Sequence, residues 1–189
     1  EKLKDKLSVK EILKFADMLT EQDGEKIFAM QVEANSAIAE EGLTGDYGAR
    51  VGQTLLKSRG GKSVQARAVA KAAAGSDARM NGCIMPVVIN SGSGNQGITV
   101  TVPVVEYVKD MGLSKDMLYK ALSISNLISI HIKHHIGKLS AFCGAVSASC
   151  GSGAAIAYLK GADYNQICHT ISNTLGNVGG IVCDGAKAS

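Results

Sequence analysis

A helical domain, close-packed through small residues, is the fold this sequence predicts, and three observations predict it. Apolar residues recur at the spacing of one helix face in four segments, starting near residues 8, 25, 114 and 163. Two further stretches, "SVQARAVAKAAAG" from Ser63 and the uncharged run from Leu139, are rich in alanine, the strongest helix former. The chain carries 22 glycines, only 4% aromatic residues and no tryptophan, so its core has to close by near approach of backbones rather than by large side chains.

The first helix opens on an S-x-x-E capping box, Ser8 with Glu11, and keeps Val9, Ile12, Leu13, Ala16 and Leu19 on its period. A second spans about 25–40, with Ile27, Met30, Ala34 and Ile38 on one face, and the glycines of "EGLTGDYGARVG" end it. After the turn "RGGKS" comes the alanine-rich helix, then "SDARMNGC" and a glycine loop. Residues 98–108, "ITVTVPVVEYV", read as strand by their β-branched content, although Pro103 would be costly in a central strand. From Ser114 a helix sets Met117, Ala121, Ile124, Ile128 and Ile132 on one face. Residues 139–160 read as helix broken near Gly151 and Gly153. The last helix starts near Asp163, buries Tyr164, Ile167, Ile171, Leu175 and Val178, and ends in "GNVGG". No tandem repeat or low-complexity linker divides the 189 residues, and one domain is expected.

Composition excludes several classes. With 20 basic and 17 acidic residues the net charge is +3, and no basic stripe is interleaved with aromatics, so nucleic acid is not an expected partner. Leu139 to Leu159 is 21 residues without a charge, long enough to cross a bilayer. Its four Ser, three Gly and six Ala leave little surface for lipid, and a buried helix or helix pair is expected instead of a membrane span. The charged start "EKLKDKLSVKEILKF" has no apolar signal core, and five cysteines are an odd number. Reduced thiols in a cytoplasmic setting fit this better than a disulfide framework. There is no C-x-x-C pair to suggest a zinc ribbon or thioredoxin site, and by spacing alone the thiols read as structural.

The stretch "INSGSGNQGITV", residues 89–100, contains G-x-G-x-x-G at Gly92, Gly94 and Gly97. A dinucleotide fingerprint needs a strand before it, a helix opening at its end and an acidic residue closing a second strand. The β-branched residues and proline after Gly97, and Asp110 within "VKDMG", fit that pattern poorly. What the loop supplies is consecutive backbone N–H groups beside Ser91, Ser93, Asn95 and Gln96, a nest that suits a carboxylate as well as a phosphate. A tight turn with no ligand is the plain alternative. In "HIKHHIGK", His131 and His135 stand one helical turn apart. No carboxylate shares their spacing, and Lys133 and Lys138 add positive charge, so a polar helix end is expected rather than a metal site.

Four motifs together carry a family resemblance: "SDARM" at 76–80, "NSGSGNQGIT" at 90–99, "KLSAFC" at 138–143 and "GGIVCDGAKAS" at 179–189. They resemble the L-serine dehydratase alpha-domain superfamily, in its branch of iron–sulfur L-cysteine desulfidases, from about Ser8 to Ser189. The resemblance implies an all-α catalytic domain of a cytoplasmic, oxygen-sensitive lyase that works without pyridoxal phosphate, and it turns the 98–108 reading towards helix. The reaction implied is loss of the β-substituent of a small L-amino acid: L-cysteine to pyruvate, ammonia and hydrogen sulfide, or L-serine to pyruvate and ammonia. A [4Fe–4S] cluster on three thiolates is implied, with Cys143 and Cys183 in two ligand positions and the third expected just beyond Ser189. Cys150 matches no ligand position and stays a core thiol. An iron with an open position acts as a Lewis acid. The substrate carboxylate then needs fixed donors, for which Ser91, Ser93, Asn95 and Gln96 are the candidates, with Arg79 as charge partner. The family's Gly-Cys-Thr-Glu-Pro motif, whose cysteine is the proposed base, has no counterpart in this chain. The resemblance therefore implies a piece truncated at both ends, with the base outside it. The competing reading is a catalytically silent helical fragment or binding module whose cysteines only pack. Homo-oligomerisation is left open.

Overall fold

The computed structural model describes residues 6–137, 140, 142–178 and 181. Among them the chain forms eight α-helices and no strand, the all-α class expected. These are α1 (Val9–Met18), α2 (Glu21–Thr44), α3 (Val51–Arg59), α4 (Val64–Met80), α5 (Gly94–Asp110), α6 (Lys115–Ile136), α7 (Gly144–Leu159) and α8 (Tyr164–Val178). Hydroxyl caps start four of them: Ser8, Thr20, Ser63 and Ser114 each accept from an N–H in the first turn of α1, α2, α4 and α6. For α3, to which the sequence reading assigns no element, Val51 N–H donates to the Asp77 carboxylate at 2.9 Å. A reciprocal Asp163–Gln166 pair, 2.9 Å in each direction, opens α8.

The segment that reads locally as strand is the central helix. Twelve of the 17 residues of α5 are buried, and α2, α4, α6 and α7 all pack on it. A helix covered on every side carries apolar residues on every face, which removes the helical period from its sequence. Burial here outweighs both the β-branched propensity and Pro103, which lies inside the helix.

Three other expectations need correction. On α2 the buried face is Phe28, Gln31, Asn35, Ile38 and Gly42, while Ile27 and Met30 are 57% and 73% exposed. Two polar residues stand in the buried stripe, so an apolar-only pattern selects the wrong side. α7 is continuous through Gly151 and Gly153. Gly151 is a contact point: a Cβ there would come closer than 3.0 Å to the Ser125 carbonyl of α6, so the glycine lets two backbones touch. On α8, Ile167 and Ile171 are buried, whereas Tyr164 and Leu175 lie at the surface. The side chain of Val178 lies outside the described residues.

Two apolar clusters result. The larger joins α1, α6, α7 and α8 around Ile12, Leu122, Ile128 and Ile167. The smaller, Ile38, Ala39, Ala78, Ile98 and Val102, lies between α2, α4 and α5, and Met85 and Val87 pack on it from the segment that enters the glycine loop. Among the described residues no helix is long and apolar enough to cross a membrane.

Candidate functional site

Asparagines hold the chain that enters the glycine loop. Asn35 Nδ2 donates to Val88 O at 3.0 Å, and Val88 N–H donates back to Asn35 Oδ1 at 2.9 Å. Buried Asn90 donates to Asn126 Oδ1 at 2.9 Å and accepts from Ser129 Oγ at 3.0 Å, which ties it to α6. Asn90 and Ser93 then exchange both backbone hydrogen bonds at 3.1 Å. They close a two-residue turn in which Ser91 and Gly92 have φ of 49° and 89°, the pair of positive values of a type I′ turn. Ser93 is the N-cap of α5. A helix does open inside the G-x-G-x-x-G, at Gly94, contrary to the sequence reading. What precedes it is an isolated bridge rather than a strand, so the arrangement is not a dinucleotide fold.

The start of α5 lacks the hydroxyl cap that opens α1, α2, α4 and α6. Its N-cap Ser93 makes no side-chain cap, and neither does Cys143 at the start of α7. The N-cap of α3, Arg50, makes none either, though there the Val51 N–H is taken by the Asp77 carboxylate; the starts of α5 and α7 meet. The amide of Gln96, in the first turn of α5, lies against Gly144, the first residue of α7, so that a Cβ at 144 would come closer than 3.0 Å to it. First-turn N–H groups without a side-chain cap at two adjoining helix starts favour an anion. Arg79, near the end of α4, also reaches the start of α5: its guanidinium lies over Gly94, and Nη1 donates to Asn95 Oδ1 at 3.1 Å. Gln96 is 6% exposed, and its Oε1 is buried without a hydrogen-bond partner.

Of the residues selected from sequence, Arg79, Asn95, Gln96 and Cys143 therefore stand around the two helix starts, and Ser91 and Ser93 form the turn that leads into the first of them. Cys183 lies outside the described residues. Asn35, Asn90, Asn126 and Ser129 were missed. The signal for Asn35 is a polar residue at 28, 31, 35, 38 spacing, where the helix faces its core.

The family described as serine dehydratase alpha chain matches residues 5–189. The chain belongs to that family. A UPF0597 protein of Desulfitobacterium hafniense (strain Y51) is 56% identical over 183 residues, which is 97% of this chain and 42% of that protein. UPF0597 proteins of Lachnoclostridium phytofermentans and Fusobacterium nucleatum are 55% and 45% identical, each over 97% of this chain and 44% of their own length. The chain spans less than half the length of these relatives. No solved structure matches it.

In this serine dehydratase alpha-chain domain the cysteines divide by environment. Cys143 is half-buried, and its N–H donates to Ile181 O at 3.1 Å, which brings the chain two residues ahead of Cys183 to the start of α7. Cys150 is fully buried in α7, and burial pushes its thiol up to about 11, as befits a core filler. Among the described residues no three His, Cys, Asp or Glu side chains come together as a metal site.

The histidines end α6. The rings of His131 and His135 meet edge-on with centroids 4.9 Å apart. His131 Nδ1 is buried without a hydrogen-bond partner, and burial, then the neighbouring His135 and His134, push its imidazole below the usual range. An unfolded histidine takes its proton near pH 6.5, the folded His131 only at lower pH. The unfolded state then binds more protons as pH falls through 6.5, and stability contributed by neutral His131 is lost with acid. Melting temperatures measured between pH 8 and 5 should fall less steeply for His131→Leu than for the wild type. Parallel curves would refute the assignment.

Proposed function

We propose that this domain holds the carboxylate of a small L-amino acid at the start of α5 and serves the elimination of that substrate's β-substituent in an iron–sulfur lyase acting on L-cysteine or L-serine. The observation that carries this reading is the meeting of two uncapped helix starts with Arg79 laid across one of them. Membership of the serine dehydratase alpha-chain family supports a lyase role.

Each group then has a task. The first-turn N–H groups of α5 and the Arg79 guanidinium are donors to a carboxylate, and such charge-assisted bonds are the strong ones. Arg79 also orients Asn95, whose amide N–H groups are donors too. The Asn35–Val88 and Asn90–Asn126 pairs hold the turn, so the donors are in place before the substrate arrives. Cys143 has the surroundings of a ligand thiol: half-buried, at an open helix start, and bonded through its N–H to the segment that leads to Cys183. In this reading Cys143 and Cys183 hold a [4Fe–4S] cluster, which when bound supplies a Lewis acid for the leaving hydroxyl or thiol. No pyridoxal phosphate is required, and a reducing, cytoplasmic setting suits cysteines that serve as ligands.

Anaerobic reconstitution with iron and sulfide tests this, on the chain and on a polypeptide carrying it at the full length of the relatives. A visible thiolate–iron band and pyruvate release from L-cysteine or L-serine are expected of the longer polypeptide, and no turnover of the chain alone, which lacks the third ligand and the base. Cys143→Ser should lose the band and Cys150→Ala should keep it. Arg79→Ala should raise KM by about 10- to 100-fold, the worth of a charge-assisted hydrogen bond. A normal band in Cys143→Ser would show that the thiol assignment is wrong.

A further inference from the structure

We propose that Gln96 is the specificity-determining residue for the substrate's α-ammonium group, so that the site at the start of α5 selects α-amino acids over carboxylates that lack a neighbouring donor. This deepens the carboxylate site proposed above and rests on it. The argument is one of donors and acceptors. The first-turn N–H groups of α5 and the Arg79 guanidinium are donors only. The Asn95 side-chain oxygen already accepts from Arg79 Nη1 at 3.1 Å, and its NH2 is a further donor. Against this set stands a buried acceptor, Gln96 Oε1, in a residue only 6% exposed and without a hydrogen-bond partner.

Leaving a buried carbonyl oxygen unpaired is destabilising, and native structures rarely keep one without a purpose. Gln96 is also held where it is. Its amide fills the place that a side chain at residue 144 would take, so Gly144 is what admits it between the two helix starts. An anion alone satisfies the donors and leaves Oε1 unmet. A ligand with a positively charged donor one atom away from its carboxylate satisfies both, and that is the chemistry of an α-amino acid. Arg79 lies against Gly94 at the start of α5 and the Gln96 amide against Gly144 at the start of α7, so carboxylate and ammonium have separate partners.

The test is equilibrium binding of two probes to the 189-residue chain, by calorimetry or ligand-observed NMR: L-serine, and 3-hydroxypropanoate, which has the same carboxylate and hydroxyl but no ammonium. The wild type should bind L-serine at least about tenfold more tightly. Gln96→Met, similar in volume and without the acceptor, should weaken L-serine to the level of 3-hydroxypropanoate and leave the latter unchanged. Gln96→Glu keeps an acceptor and should keep the preference, which guards against a fold defect in the Met variant. Equal weakening of both probes by Gln96→Met would place Gln96 on the carboxylate and overturn the proposal. Equal binding of both probes by the wild type would overturn it while the carboxylate site stands. Binding of neither would remove the site itself.

Discussion

Glu106→Ala should cost about 3–5 kcal/mol, the usual consequence of breaking a buried ion pair from one side. Glu106 is 5% exposed, in the middle of α5, and is met by Lys71 Nζ at 2.6 Å and Arg67 Nε at 3.6 Å, both from α4. Lys71 also reaches Glu40 of α2 at 2.6 Å, and Arg67 reaches Asp110, so one network joins three helices. Burial works against the charge on Lys71, and its hydrogen bonds to Glu106 and Glu40 outweigh that and hold its pKa above the usual value. Removing Glu106 leaves Lys71, with a side chain 17% exposed, to a partner that is 56% exposed. Glu40→Ala, by contrast, removes the solvated end and should cost at most about 1 kcal/mol. Thermal melts should separate the two variants by roughly 10 °C in a chain of this size. Equal losses would mean that the buried carboxylate has no special weight. Replacing Lys71 and Glu106 together by methionine should recover much of the loss, because no charge is then left stranded.

The helix ends were legible in the sequence where a side chain makes them: Ser8 with Glu11 caps α1 as read, and Ser114 starts α6 as read. Local chemistry decides those places. Legibility failed where distant parts of the chain decide. α5 carries valines and threonines because four helices cover it, and nothing within residues 98–108 records those neighbours. Gly151 looks like a break because its reason, the Ser125 carbonyl of α6, lies 26 positions earlier. The buried face of α2 was misjudged because Gln31 and Asn35 are spent on Thr101 and Val88 instead of on water.

The candidate site follows the same division. The donor-rich loop was legible as a nest of N–H groups, since glycine spacing and short polar side chains are local facts. That α7 begins beside it, with Gly144 yielding space to Gln96, is a tertiary fact. So is the path of Arg79, which a sequence can offer as a charge partner but cannot lay across Gly94. The asparagines that hold the turn were invisible because asparagine reads as a loop former, whereas Asn35 is buried in mid-helix, where it serves as a bracket for another segment.

That bracket makes Gly97→Ala the second large effect. A Cβ at residue 97 would come closer than 3.0 Å to the Val88 carbonyl, which is backbone and has no rotamer to yield. The same carbonyl accepts from Asn35 Nδ2, and the Val88 N–H is engaged by Asn35 Oδ1, so residue 88 can retreat only by breaking that pair. Overpacking costs about 1–3 kcal/mol and a stranded buried amide about as much again, so a loss of about 3 kcal/mol is expected in urea titrations. Gly92→Ala is the control: it has open space around it and a φ of 89°, so it should cost only the left-handed penalty, about 1–2 kcal/mol. The two variants should also differ in where they act. Gly97→Ala should speed amide hydrogen exchange from Val88 through Gly97 by loosening the segment from α2, whereas the Gly92→Ala change should stay within the turn. If Gly97→Ala is as stable as Gly92→Ala and exchanges like the wild type, the close approach of α5 to residue 88 does not hold the loop, and the donors at the start of α5 are not positioned in the way argued above.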